Sequence, residues 1–367
     1  MKNNGWTKKA FRAAGIALAI FVLGLLAFGA QLPEQAMGVG HPRVKEMMEV
    51  QEVVTPDLMA MEDVLGTAVG QDDDGELTIL VFVNLEGKNP AQSARSIPKS
   101  LRGKRVTVEV TEPFRSLGKP TAPKVSHTAK QTAPIQLGTS GGYGLDLANG
   151  YCCGGTLGSL VHIDGTQYIL SNYHVFESDI VLGGNGSVAR TGDSIIQPGL
   201  IDVGCTASRA QVVATLEQRA SLPDSNVDAS IAKVISGMVR TDGAILEIGT
   251  ISASTVGAFV AQAVKKSGRT TGLSRSKVSG LNATVTVAYD NECAGGEAFK
   301  KTFTGQIIIS NRRSAFLAGG DSGSLMVEDV TTNPRAVGLL FAGSNTLAVA
   351  NPIGEVLEVL GATMVGN

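Results

Sequence analysis

Short apolar segments separated by turns fill the chain from about residue 140 onward, and this pattern limits its fold more than any other feature. Examples are GTLGSLVHI, TQYILSNYHVF, ATVTVAYD and AVGLLFAG, and the residues between such segments are mostly Gly, Asn, Asp and Ser. Glycine accounts for 45 residues, and aromatic residues for only 5% of the chain. Short strands at this spacing are typical of antiparallel sandwiches and barrels. We therefore predict an all-β architecture that ends in one short amphipathic helix, NPIGEVLEVLGA.

The region before residue 118 has a different pattern and predicts a small α/β module. Residues 43–66 have helical spacing that is broken at Pro56, which predicts two helices. LGTAVG and LTILVFVNL predict two strands joined by the acidic turn QDDDGE, and KRVTVEV predicts a third. The acidic turn lacks the spacing of an EF-hand loop, so a solvated hairpin turn is favoured over a calcium site. Residues 118–137 are rich in Pro, Thr, Ala and Lys and predict an exposed linker, in which we expect His127 to be solvated.

The first 30 residues combine four basic residues with an uninterrupted apolar run over residues 13–30. A basic start, an apolar centre and small residues at its end describe an export signal peptide. The run is also close to the length that spans a bilayer, so an uncleaved N-terminal membrane anchor is the alternative. Both interpretations place the rest of the chain outside the cytoplasm: secreted, periplasmic or on the outer face of the membrane.

Charge and cysteine content narrow the function classes further. Charged residues make up 17% of the chain and the net charge is -2. The chain therefore lacks the excess of positive charge that is typical of nucleic-acid-binding proteins. The cysteines do not have the spacing of a metal site. They fit disulfide bonds in an oxidising compartment, and buried free thiols are the alternative. They are Cys152, Cys153, Cys205 and Cys293.

Three segments carry the residues that could perform chemistry. QYILSNYHVF places His174 directly after an apolar strand, and LAGGDSGSLMV places Ser322 in a glycine-rich turn. SNVDASIAKV places Asp228 at the start of a strand, although Asp228 could instead be a turn residue, as Asp224 is. A serine hydroxyl becomes a nucleophile when a base removes its proton and a carboxylate orients that base. These segments therefore predict a Ser-His-Asp triad.

The chain order of the three residues discriminates between hydrolase folds. An α/β-hydrolase needs its histidine after the nucleophile, and the last histidine here is His174. A subtilisin-type enzyme needs its aspartate before the histidine. The order His, Asp, Ser on an all-β background matches the chymotrypsin-type arrangement, with His174 and Asp228 in one barrel and Ser322 in a second.

At these segments the chain resembles the trypsin-like serine peptidases. LSNYHV is similar to the histidine strand of that family, VDASIAKV to its aspartate segment, GGDSGSLMV to its nucleophile loop and VGLLFAGS to the strand beside its specificity pocket. QPG at 197–199, KSGRTTGLS at 266–274 and the module at 60–110 resemble a largely bacterial branch of the family.

The resemblance implies a domain organisation. Residues 138–367 would form a peptidase domain of two antiparallel β-barrels followed by the C-terminal helix. Residues 31–117 would form a propeptide-like α/β module that assists folding or covers the cleft. Release would then occur in the 118–137 linker.

The resemblance also assigns roles around the triad. Backbone N–H groups of Gly320 and Ser322 would form the oxyanion hole, and the substrate pocket would be walled by Phe341, Ala342 and Gly343.

Asp321 precedes the serine and is expected to have a structural role. No segment near 138–145 resembles the N-terminus that pairs with this aspartate in animal trypsins. We therefore expect Asp321 to find a partner inside the chain.

The predicted activity is that of a serine endopeptidase, which hydrolyses peptide bonds through an acyl-enzyme intermediate. Its substrates would be proteins or peptides, and the chemistry requires no metal or organic cofactor. The alternative is a non-catalytic envelope binding or scaffold protein on the same fold.

Overall fold

Antiparallel strands account for most of the chain in this computed structural model. The structure describes residues 37–115, 125–148, 151–177, 189–219, 222, 224–289, 299–312 and 315–367. The predicted export segment and Cys293 lie outside the described residues.

The N-terminal module contains a helix packed on a small sheet. Strands β1 and β2 form an antiparallel hairpin, and β2 pairs in parallel with β4. The elements are α1 (Pro42–Met59), β1 (Val64–Gln71), β2 (Leu77–Asn84), α2 (Pro90–Ser96), β3 (Ser100–Leu101) and β4 (Lys104–Thr111).

Helix α1 corrects the prediction of two helices, because it continues through Pro56 and ends at Met59. Pro56 lies in the last turn, where it removes one intrahelical hydrogen bond but does not prevent the turn from closing. The carbonyl of Pro56 still accepts a hydrogen bond from the N–H of Ala60, at 3.1 Å.

The acidic turn between β1 and β2 is a hairpin turn stabilised by Asp72. Its Oδ1 accepts hydrogen bonds from the N–H groups of Asp74 and Glu76, at 3.0 and 2.9 Å. The hydrogen bond from Glu76 is the main reason that the pKa of Asp72 lies below its usual value.

The first barrel of the region after residue 138 is a ring of six strands. Its closure depends on the stretch from β8 to β9, which pairs with β5 through its first half and with β10 through its second. The elements are β5 (Thr139–Tyr143), β6 (Leu147–Ala148), β7 (Tyr151–Cys152), β8 (Gly155–Leu157), β9 (Ser159–Ile163), β10 (Thr166–Ser171), α3 (Tyr173–Phe176), β11 (Ser194–Gln197), β12 (Gln211–Glu217) and β13 (Ser230–Val234).

The second barrel is also a ring of six strands, and it closes where β14 pairs with β15. Helix α4 follows β19 at the predicted position, and β20 then pairs with β9 of the first barrel. The elements are β14 (Ala263–Gly268), β15 (Gly272–Tyr289), β16 (Phe299–Ser310), β17 (Leu325–Glu328), β18 (Ala336–Gly343), β19 (Leu347–Pro352), α4 (Ile353–Leu360) and β20 (Thr363–Met364). These two rings and the C-terminal helix confirm the predicted fold class.

Strand β15 joins the N-terminal module to the second barrel. It is 18 residues long, and it pairs with β14, with β16 and, around residues 280–285, with β1 of the module. The four module strands β1, β2, β4 and β3 thereby extend the barrel sheet into one sheet of ten strands.

His127 corrects the expectation of a solvated linker residue, since its side chain is fully buried. Its Nδ1 lies 2.6 Å from the carbonyl oxygen of Gly138, and its Nε2 lies 2.8 Å from Oε2 of Glu247. Further along the linker, Ile135 and Leu137 form backbone bridges with Val239 and Ile245, which follow β13 of the first barrel.

Cys152 and Cys205 form a disulfide bond, and no described cysteine is free. Within the described ranges, we find no helix that is both long enough and apolar enough to cross a membrane.

The contact between β1 and β15 generates a testable prediction. A Cβ atom at Gly66 would lie 2.5 Å from the carbonyl oxygen of Thr284, whereas one at Gly40 would meet no atom within 4 Å. Gly66→Ala should therefore lower the free energy of unfolding by about 1–3 kcal/mol, and Gly40→Ala by less than about 0.5 kcal/mol. Urea unfolding of both variants measures the difference. Equal stability of the two would show that this strand contact is not tight.

Candidate active site

His174 and Asp228 are joined by two hydrogen bonds. His174 lies in α3, directly after β10, and Asp228 lies just before β13, the strand that pairs with β10. Nδ1 of His174 is 2.6 Å from Oδ2 of Asp228, and the backbone N–H of His174 donates to Oδ1 at 3.3 Å. An ionised carboxylate only accepts hydrogen bonds, so the proton lies on Nδ1. Nε2 of the neutral ring is then left with a lone pair that can accept a proton.

The Asp228 carboxylate is fully buried, and further polar groups fix its position. The Tyr289 hydroxyl donates to Oδ2 at 2.9 Å. The backbone N–H of Asp228 donates to Oδ1 of Asn351 at 3.0 Å, and its carbonyl accepts from Nδ2 of Asn172 at 2.6 Å. Asp224 is exposed, so the structure brings only Asp228 to the histidine.

A second carboxylate, Glu177, is buried behind this pair. Its oxygens accept hydrogen bonds from Oγ of Ser230 at 2.7 Å and from Nε2 of Gln218 at 3.0 Å. Burial raises the pKa of Glu177; these two hydrogen bonds oppose the shift, and the negative charge of Asp228 adds to it.

Ser322 lies in the turn before β17 and retains 7% exposure. The turn is held on both sides by main-chain hydrogen bonds. The carbonyl oxygen of Ser322 accepts from the N–H of Thr156 at 2.9 Å, and the N–H of Gly323 donates to the carbonyl oxygen of Leu340 at 3.0 Å. Thr156 belongs to the first barrel and Leu340 to the second, so the turn lies between the barrels.

Packing connects the serine turn to the histidine. A Cβ atom at Gly155 would lie 3.0 Å from the carbonyl oxygen of Ser322 and 2.6 Å from Cγ2 of Val175, the neighbour of His174. The backbone of Ser322 and the residue after His174 therefore both pack against position 155, where only glycine fits without displacing them.

Asp321 has its expected structural role, and its cationic partner is Lys266. The Nζ of Lys266 is 2.9 Å from Oδ2 of Asp321, and neither side chain has exposed surface. Oδ1 also accepts the N–H groups of Thr270 and Thr271, and Oδ2 accepts the N–H of Ala318 at 3.0 Å. Burial lowers the pKa of Lys266, and the charge of Asp321 opposes that shift.

Arg269 supports the same turn from its other side. Its guanidinium binds both carboxylate oxygens of Asp202, at 2.5 and 2.7 Å. A Cβ atom at Gly320 would lie 2.7 Å from Nη1 of Arg269. Gly320 has φ +88°, a conformation that glycine adopts without steric cost.

The three predicted pocket residues end β18, and they differ in their surroundings. Phe341 is fully buried and packs its ring against Phe303, with centroids 4.9 Å apart. Ala342 has 1% exposure. Gly343 exchanges two backbone hydrogen bonds with Arg115, both 2.9 Å long. The pocket role of the three residues stays a prediction.

Sequence reasoning did not find Tyr289, Lys266 or Glu177. Tyr289 ends a strand that reads as ordinary alternation, and Lys266 looks like a surface residue in KSGRTTG. Tyr289 contacts Asp228 and Lys266 contacts Asp321, and both carboxylates are distant from these side chains in the sequence. The sequence alone therefore does not reveal either pair. Among the described residues, no group of three or more His, Cys, Asp and Glu side chains could hold a metal ion.

One family model and several solved structures are similar to parts of this chain. A family model for the Nal1 C-terminal domain matches residues 222–351. No curated protein matches the chain.

The chain is similar to several solved serine proteases at low identity. One is a glutamic acid specific serine protease that uses a histidine triad in substrate binding (20% identity, TM-score 0.42, 63% of this chain and 100% of that chain). Others are Thermobifida fusca Protease A (18%, 0.40, 64% and 99%) and a Cellulomonas bogoriensis chymotrypsin (18%, 0.39, 64% and 99%).

The buried ion pair of the serine turn gives a second prediction. Lys266→Met leaves the Asp321 carboxylate buried without a cation and should lower the free energy of unfolding by about 3–5 kcal/mol. Lys265→Met is the matched control, because Nζ of Lys265 donates to the carbonyl oxygen of Val330 and its loss should cost only about 1 kcal/mol. Urea unfolding measures both variants. Similar losses of unfolding free energy in the two variants would show that the buried ion pair contributes no more to stability than the hydrogen bond of Lys265.

Proposed function

We propose that this protein is an exported serine endopeptidase with Ser322 as nucleophile, His174 as general base and Asp228 as the group that orients the base. The observation that carries the proposal is the 2.6 Å hydrogen bond between Nδ1 of His174 and the buried carboxylate of Asp228. A buried carboxylate on Nδ1 directs Nε2 outward as a base, which is what serine activation requires.

The reaction would proceed in two halves. Nε2 of His174 takes the hydroxyl proton of Ser322 as Oγ attacks the carbonyl carbon of the scissile bond. The imidazolium, stabilised by Asp228, then donates that proton to the leaving amine, and an acyl-enzyme remains on Ser322. Water attacks the acyl carbon in the second half, with His174 again accepting and returning a proton.

The serine turn offers donors for the negative charge that develops on the carbonyl oxygen. The N–H groups of Asp321, Gly323 and Ser324 are already bonded to backbone carbonyls. By contrast, the N–H groups of Gly320 and Ser322 meet no acceptor within the described part of the chain. Both are therefore the donors that we assign to the oxyanion hole.

The end of β18 supports a site for an extended peptide. Leu340 exchanges backbone hydrogen bonds with Gly323 and Ser324, next to the nucleophile. Three residues further on, Gly343 exchanges its N–H and carbonyl with Arg115 in an antiparallel bridge. A peptide that paired with Gly343 in this direction would run toward Leu340 and hence toward Ser322. Backbone pairing of this kind is a common way to bind extended peptides.

In this structure Arg115, at the end of the segment 112–115, pairs with Gly343 at that edge. Nη2 of Arg115 lies 2.7 Å from Oε2 of Glu86 in the module, and the Phe114 ring packs edge-on against Phe82. We propose that this segment, at the end of the module, covers the substrate edge and limits activity. The proposal keeps the propeptide-like role of the module, with release in the linker.

Export is supported by the disulfide between Cys152 and Cys205, since disulfides persist mainly in oxidising compartments. The signal peptide or anchor at residues 1–30 remains part of the proposal.

A fluorophosphonate probe tests the catalytic assignment, because it labels only an activated serine. The wild-type protein should be labelled and should cleave a peptide library, whereas Ser322→Ala should do neither. Asp228→Asn should lower kcat by about 10⁴-fold, and the exposed Asp224→Asn is the control that should leave kcat unchanged. A wild-type protein that is neither labelled nor active would instead favour a non-catalytic binding protein.

A change of backbone at Arg115 tests the covering segment. Arg115→Pro removes the N–H that donates to Gly343, while Arg115→Ala keeps both backbone hydrogen bonds. If the segment competes with substrate, Arg115→Pro should raise kcat/KM for peptides about 2- to 10-fold, which is the change expected when the segment loses one backbone hydrogen bond. Arg115→Ala should have little effect, since exposed ion pairs contribute little. A fall in kcat/KM for the proline variant would show that the segment supports the site rather than covering it.

A further inference from the structure

Tyr289 brings the end of β15 to the His174–Asp228 pair. The strand belongs to the second barrel, whereas both members of the pair belong to the first. The hydroxyl of Tyr289 lies 2.9 Å from Oδ2 of Asp228, and the residue retains only 3% exposure. Oδ2 is also the oxygen that accepts the proton on Nδ1 of His174. Two donors from different barrels therefore meet at one carboxylate oxygen.

The direction of the Tyr289 hydrogen bond is fixed by chemistry. An ionised carboxylate has no proton to give, so the phenol must be the donor. Burial raises the pKa of Tyr289 well above its usual value, and the negative charge of Asp228 raises it further. The hydroxyl thus keeps its proton over the whole range in which a histidine base operates.

The ring of Tyr289 also has defined neighbours. Its centroid lies 5.8 Å from that of His174, with an angle of 63° between the planes, and 6.4 Å from that of Phe303. The strand end is held by the N–H of Ala288, which donates to the carbonyl oxygen of Phe114 at 3.1 Å. These contacts restrict both the hydroxyl and the imidazole beside it.

The need for such a donor follows from the surroundings of Asp228. Its side chain is fully buried, and no cation contacts it among the described residues while His174 is neutral. The donors to its oxygens are the N–H and ring of His174 and the hydroxyl of Tyr289. A buried carboxylate that loses one donor depends more strongly on the donors that remain, and the remaining side-chain donor here is the imidazole of His174.

We propose that Tyr289 is a positioning residue for the triad, whose hydroxyl stabilises the negative charge of Asp228 and keeps the carboxylate aligned with Nδ1 of His174. This inference rests on the proposed peptidase function and extends it to a fourth side chain. Tyr289 contacts both the Asp228 carboxylate and the ring of His174, and we assign its effect on the triad to the hydrogen bond with Asp228.

Loss of the hydroxyl has a signature in the pH profile. Without this donor, one hydrogen bond fewer stabilises the negative charge of Asp228. The carboxylate then attracts the imidazolium more strongly, which raises the pKa of His174. The other titratable group at Asp228 is Glu177, whose charge acts on it from behind. Tyr289→Phe leaves Glu177 and its hydrogen bonds in place, so a shift can be assigned to the hydroxyl.

The test compares Tyr289→Phe with Tyr143→Phe in the full chain. Tyr143 is also buried and donates to a carboxylate, Oδ2 of Asp193, at 2.9 Å, so it controls for the general loss of a phenol hydroxyl. We expect Tyr289→Phe to lower kcat about tenfold or more, the weight of a hydrogen bond to a charged group. KM should change little, and the acidic limb of the kcat/KM profile should move to higher pH. Tyr143→Phe should lower stability alone.

An NMR titration of the His174 imidazole gives a readout that does not depend on turnover. A higher pKa in Tyr289→Phe than in the wild type supports the inference, and an unchanged pKa together with unchanged kcat overturns it. If the wild type shows no turnover and no probe labelling while the pKa still shifts, the peptidase proposal fails but the coupling of Tyr289 to His174 stands.

Discussion

The candidate active site depends on one physical constraint, which is the complete burial of the Asp228 carboxylate. A charge without solvent contact must be met by hydrogen bonds, and here the groups around Asp228 come from distant parts of the chain. His174 approaches from the start of α3, Tyr289 from the end of β15 and Asn351 from β19. Satisfying this one residue therefore requires both barrels to be folded and in contact.

The second buried carboxylate, Asp321, is satisfied in a different way. Lys266 supplies a full positive charge, and the backbone of Thr270 and Thr271 supplies further donors. Asp228 instead meets only neutral groups while His174 is unprotonated. The contrast follows from their tasks. Asp321 holds a turn in a fixed shape, whereas in the proposed mechanism Asp228 must still be able to stabilise an imidazolium when one forms.

Local patterns predicted those features that depend on near neighbours in sequence. The strands, helix α4 and the segments around His174 and Ser322 were found because alternation, turn residues and chain order are visible in one dimension. Two local expectations were wrong. Pro56 does not end α1, because it lies in the last turn of the helix. His127 is buried, with its two ring nitrogens within hydrogen-bonding distance of a backbone carbonyl oxygen and a carboxylate oxygen. Neither partner of His127 can be recognised from the composition of the linker.

The sequence by itself determined that the chain forms antiparallel barrels and that a histidine, an aspartate and a serine stand in the order of one hydrolase class. It also predicted an internal partner for Asp321, because no segment near 138–145 resembles the N-terminus that pairs with this aspartate in animal trypsins. Only the tertiary structure decided that Lys266 is that partner, that Tyr289 faces Asp228 and that Arg115 occupies the edge at Gly343. The physical reason is the same in each case. A buried charge or an open strand edge specifies what kind of group must meet it, and the packing of distant segments specifies which residue does.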